Sequence, residues 1–117
     1  MRQVQEALRD LGIPVYAGVW RASTQNQSPP AQYAVYSTST AETAYEDDVP
    51  TAYRTYVYLN LWSDADPTAM RYAIRNAMYA AGFSMIEESD KGYNQPAYDT
   101  ATRQYTVQWT WCLQEAV

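Results

Sequence analysis

Residues 51–62 read Thr-Ala-Tyr-Arg-Thr-Tyr-Val-Tyr-Leu-Asn-Leu-Trp. In an extended chain Tyr53, Thr55, Val57, Leu59 and Leu61 share one face, and Arg54, Tyr56, Tyr58, Asn60 and Trp62 share the other. A period of two over twelve residues, rich in aromatic and β-branched side chains, predicts a long strand in the middle of a sheet. The end of the chain repeats the pattern. From about Thr100 to Glu115, Arg103, Tyr105, Val107, Trp109, Trp111 and Leu113 point one way, and Thr102, Gln104, Thr106, Gln108, Thr110, Cys112 and Gln114 the other. Its second face is polar but uncharged, which suits a sheet surface open to water or covered by another subunit.

Helical periods flank these strands. After residues 51–62, Met70, Ala73, Ile74, Ala77, Met78 and Ala81 form an apolar stripe, with Arg71, Arg75 and Asn76 predicted to face away. Asp66 is placed to cap that helix, Pro67 to occupy its first position, and Gly82 to end it. Val4, Ala7, Leu8 and Leu11 make a shorter amphipathic helix closed by Gly12. Extended pieces are expected at Ile13–Trp20, Gln32–Thr40 and Phe83–Glu88, and polar loops at Ser23–Pro30 and Ser89–Pro96. Glu42–Pro50, with Glu42, Glu46, Asp47 and Asp48 and no basic residue, reads as a long acidic hairpin loop. The order helix, three strands, helix, two strands predicts an α+β fold in a single domain over residues 1–117. Its antiparallel-dominated β-sheet of four to five strands carries both helices on one face.

Composition narrows function by exclusion. Tyr contributes 12 residues and Trp 4, against one Phe, so most aromatic surface carries a polar end suited to half-buried or interfacial positions. The net charge is −5 and Lys91 is the only lysine, which argues against binding nucleic acid through its phosphates. Acidity is still compatible with DNA sliding past without adhering. With no apolar run of membrane length, no apolar leader core and one cysteine, Cys112, a protein of a reducing compartment is expected.

The absence of histidine removes the usual neutral-pH base, the common triads and the commonest metal ligand. The four glycines are scattered and form no phosphate loop. No enzyme, cofactor or metal site is therefore expected. The Glu42–Asp48 carboxylates lack ligand spacing and read as a solvated loop. Glu87, Glu88, Asp90 and Lys91 lack the rigid frame and positive approach that a metal nuclease needs. Tyr56, Tyr58 and Trp62 point outward and suit a protein interface, or alternatively a sugar-stacking platform of a carbohydrate-binding module.

Several stretches are similar to tail-completion (tail terminator) proteins of long-tailed bacteriophages. Leu11-Gly12-Ile13-Pro14-Val15-Tyr16 after a helix, and Pro29-Pro30 leading Tyr33-Ala34-Val35-Tyr36, resemble the opening of that family. Val57-Tyr58-Leu59-Asn60-Leu61-Trp62-Ser63-Asp64, the helix ended by Ala81-Gly82-Phe83, the Glu87/Glu88 stretch and the terminal Tyr105-Thr106-Val107-Gln108-Trp109-Thr110 strand continue the likeness. It covers nearly the whole chain, and its motifs are structural.

The resemblance implies a virion protein that forms a six-fold ring at the head-proximal end of the tail tube. Its partners would be copies of itself, the major tail tube protein and the head–tail connector proteins, with DNA passing through the ring and no membrane involved. No catalytic residue comes with the resemblance. The residues expected at interfaces are Asp47, Asp48, Arg54, Tyr56, Tyr58, Trp62, Arg71 and Arg75, the acidic loop of one copy meeting arginines of the next.

Overall fold

The computed structural model describes residues 2–18, 31–46, 49–88, 97–99 and 104–116. Helix α1 (Arg2–Leu8) tightens into a 3-10 turn at Arg9–Leu11 and stops at Gly12, whose φ of 77° is the left-handed conformation that favours glycine. Val4 and Leu8 are fully buried, and Ala7 and Leu11 pack beside them. The strands are β1 (Val15–Ala17), β2 (Gln32–Glu46), β3 (Val49–Ser63), β4 (Ser84–Glu88), β5 (Ala97–Asp99) and β6 (Gln104–Ala116), with helix α2 (Thr68–Ala80) between β3 and β4. They form one mixed sheet in the order β1-β2-β3-β6-β4, in which the short β5 also pairs with β6. Only β1–β2 is parallel. The fold is α+β, with β5 as a strand that the sequence reading assigns to no element.

The alternation in residues 51–62 fixes the register. Val57 lies opposite Trp111, Leu59 opposite Trp109 and Leu61 opposite Val107, so their side chains share the face that the helices cover. Val57, Leu59, Leu61, Val107, Trp111, Ile74 and Met78 are all 0% exposed. Tyr79 meets Trp111 edge to face, with ring centroids 5.1 Å apart. Both helices share this core with the sheet.

Capping differs in detail from the expectation. Asp66 Oδ1 accepts the Thr68 amide at 3.0 Å and its hydroxyl at 2.6 Å, while Pro67 is buried and the helix begins one residue later. These bonds, the side-chain one first, hold the Asp66 carboxyl below its ordinary 3.8. The other end of α2 closes as expected, with Gly82 at φ 94° and the Phe83 amide bonding Met78 O at 3.0 Å.

The expected long acidic loop at Glu42–Pro50 is mostly strand. β2 runs to Glu46 and β3 starts at Val49, with Glu46 paired to Val49 and register shifts near Glu42 and Ala44. Acidic side chains alone do not prevent backbone pairing, so the ladder of β2 and β3 runs through this stretch. The hairpin extends past the helices: residues 33–36 are buried, whereas 37–41 are exposed. The radius of gyration, 15.8 Å, accordingly exceeds the roughly 13 Å of a compact domain of this length, and the long dimension is 52 Å.

Candidate functional site: the open face of the sheet

The face opposite the helices carries Tyr33, Val35, Ser37 and Ser39 from β2. Beside them lie Arg54, Tyr56, Tyr58, Asn60 and Trp62 from β3, then Thr106, Gln108, Thr110, Cys112 and Gln114 from β6. Pairing places Tyr58 between Ser37 and Thr110, and Asn60 between Val35 and Gln108. Arg54 is the one fully charged group along these three described rows. Its guanidinium donates to Gln114 Oε1 at 3.2 Å, and a hydrogen bond with Tyr56 raises its pKa above the ordinary arginine value. Such a surface presents hydroxyls, amides and aromatic edges with little charge to desolvate.

The outward aromatic residues differ from one another. Trp62 stacks on Tyr33, with an interplanar angle of 14° and centroids 6.4 Å apart, and Tyr16 meets Tyr33 edge-on at 6.1 Å. Tyr33 is only 6% exposed, and burial, with Asp64 and Tyr16 adding, pushes its phenol above 10.0. This cluster fastens β1 to β3 across β2. Tyr58 is free of it: 45% exposed, its hydroxyl 3.4 Å from Ser39 Oγ. Beside Tyr58, a hollow of about 220 Å³ is lined by Asn60, Glu87, Gln108, Trp109 and Thr110.

Arg71 and Arg75 do not face away as expected. Arg71 is 3% exposed and pairs with Glu88, and Arg75 Nε lies 3.5 Å from Glu88 Oε2. Glu88 also accepts the Trp109 indole N–H at 2.8 Å, and both guanidinium groups lie over the Tyr72 ring, at 5.9 and 5.6 Å. The cause is a bulge. Met85 pairs with Trp111 and Glu87 with Thr110, so Ile86 is an extra residue that reverses the alternation. Without it Glu88 would point to the open face; with it, Glu88 turns under α2 and draws in the two arginines. These arginines are therefore engaged within the fold, by Glu88.

Asp47 and Asp48 lie outside the described residues, as do Asp90 and Lys91 of the weak carboxylate–lysine set. Among the described residues no three His, Cys, Asp or Glu side chains gather as metal ligands, and no helix is long and apolar enough to cross a membrane. Cys112 is a free, partly exposed thiol on the open face. The chain matches no protein-family model, and a search of curated proteins finds no match to it.

Proposed function

We propose that the protein is a non-enzymatic structural subunit of a long-tailed phage virion, a tail terminator that assembles as a six-fold ring on the head-proximal end of the tail tube. The observation that carries this reading is the two-sidedness of the sheet. One face packs α1 and α2 over an apolar core, and the other carries rows of Tyr, Thr, Gln and Asn across β3 and β6, with Tyr58, Gln108 and Gln114 exposed. Such a surface, polar and aromatic with little charge, suits a subunit that docks on a tube and on its own copies. The net charge of −5 suits a ring through which DNA passes without adhering. The reading joins these features to the family resemblance of the motifs around Leu11–Tyr16 and Val57–Asp64.

The open face docks on its partners, with Tyr58 at the centre of the contact and Arg54 and Tyr56 flanking it. Tyr58→Arg leaves the opposite, helix-covered face untouched. The variant should fold as wild type and fail to decorate the ends of tubes polymerised from a phage major tail protein that wild type decorates, as seen by electron microscopy. End decoration that survives Tyr58→Arg removes the open face from the contact.

The hollow beside Tyr58 favours a second reading, a carbohydrate-binding module, in which the Tyr58 ring stacks on a sugar and Asn60, Glu87 and Gln108 bond its hydroxyls. Stacking platforms use several exposed rings, and Trp62 is already stacked on Tyr33. Tight, Tyr58-dependent signals on a glycan array would select this reading over the first.

A further inference from the structure

The two edges of the sheet are finished differently. At one edge β4 spans only Ser84–Glu88, is broken by the Ile86 bulge and carries Glu87 and Glu88. Short length, a bulge and charge are the usual protections against pairing with another chain. At the other edge β1 covers β2 only from Ala34 to Tyr36. The Ala34 amide bonds Pro14 O at 2.9 Å, and Tyr36 O accepts the Gly18 amide at 2.8 Å, so even-numbered residues turn their main-chain groups outward. By the two-residue period the same groups of Thr38 and Thr40 point out of the sheet, and no described strand pairs with them. Ser37-Thr38-Ser39-Thr40-Ala41 is exposed throughout, contains no Lys, Pro or Gly, and carries no charge in a chain of net charge −5.

We propose that this edge pairs antiparallel with the same edge of a second copy of the chain, about a two-fold axis at Ser39. The argument for a second copy is self-complementarity. With Ser39 opposite its own counterpart, Thr38 of each chain faces Thr40 of the other. The outward N–H and C=O of both threonines then close about four main-chain hydrogen bonds at once. Thr–Thr neighbours across strands are favourable, and no like charges meet at the axis. The bulged, acidic β4 edge of another copy cannot satisfy the same groups in register. This pairing does not depend on the tail reading, and its test uses free protein without tubes.

The test places cysteines in a Cys112→Ser background of the full chain. Ser39→Cys sits at a non-hydrogen-bonded pair, where Cα atoms approach to about 4.5 Å, within the reach of a disulfide. Mild oxidation should give a disulfide dimer with Ser39→Cys and little with Thr40→Cys, whose counterpart is Thr38. Sedimentation should show a concentration-dependent dimer for wild type. Ser39→Lys and Thr38→Pro should shift it to monomer without changing circular dichroism; Thr38→Pro removes an outward N–H that β3 does not use. A wild-type monomer at all concentrations, or equal cross-linking at positions 39 and 40, overturns the proposal. A dimer that persists in both Ser39→Lys and Thr38→Pro places the contact elsewhere and overturns it too.

Discussion

Glu88→Ala removes a carboxylate on which Arg71, Arg75 and Trp109 converge. Arg71 is buried at 3% exposure with Glu88 as its paired carboxylate, and the Trp109 indole N–H loses its acceptor in the same step. Removing one partner of a buried pair leaves an uncompensated charge and costs about 3–5 kcal/mol. Arg75 stays partly solvated and adds little, because its guanidinium reaches water. Domains of this size are stable by about 5–15 kcal/mol, so roughly a fifth or more of the total is at stake. With a urea slope near 2 kcal/mol/M, the midpoint should fall by about 2 M.

The control is the paired replacement Arg71→Met/Glu88→Leu, which removes both charges together and should recover most of the loss. Urea melts followed by far-UV circular dichroism measure both, and Trp109 emission should change with Glu88→Ala. A Glu88→Ala midpoint within about 0.3 M of wild type would refute the buried-pair account, and a double variant no better than the single would show that packing, not charge, carries the cost.

Ile74→Ala should cost about 2–5 kcal/mol, because Ile74 is fully buried against the Trp109/Trp111 face; an unchanged denaturant midpoint would show that α2 does not lie there. Asp66 binds the start of α2 as a carboxylate with a lowered pKa, so its contribution is complete above the ordinary 3.8 and is lost as pH falls through the lower folded value. Asp66→Asn should accordingly flatten the acid limb of a plot of melting temperature against pH, and an unaltered limb would remove the charge from the account. Calorimetry with Ca²⁺ and Mg²⁺ should give no saturable heat; micromolar binding that vanishes in Asp47→Asn/Asp48→Asn would establish a site at these two carboxylates.

The strands were legible because their faces differ chemically. In β3 and β6 the inward row is mostly apolar, and the structure buries its middle, from Val57 to Leu61 and from Val107 to Trp111, while Tyr58, Gln108 and Gln114 of the other row are exposed. The stripe of α2 and the stops at Gly12 and Gly82 were legible for the same local reasons. What stayed hidden depends on pairing across the sheet. The Ile86 bulge leaves no mark in a five-residue strand, yet it decides that Glu88 turns inward and that Arg71 and Arg75 follow. The length of the β2–β3 hairpin was hidden because a stretch rich in Glu and Asp reads as loop although its backbone can still pair. Of the open face, the sequence identified Tyr56, Tyr58 and Trp62 as outward. It did not separate Trp62, stacked on Tyr33, from the exposed Tyr58, since that distinction requires knowing which residue of β2 lies opposite.

The central claim, that the protein ends tube growth, is tested most directly by tube length. Tail protein polymerised with increasing amounts of the folded wild-type chain and imaged by electron microscopy should give progressively shorter tubes, each bearing a six-fold density at one end. Tubes that keep elongating in a stoichiometric excess of the chain, with bare ends, would contradict it.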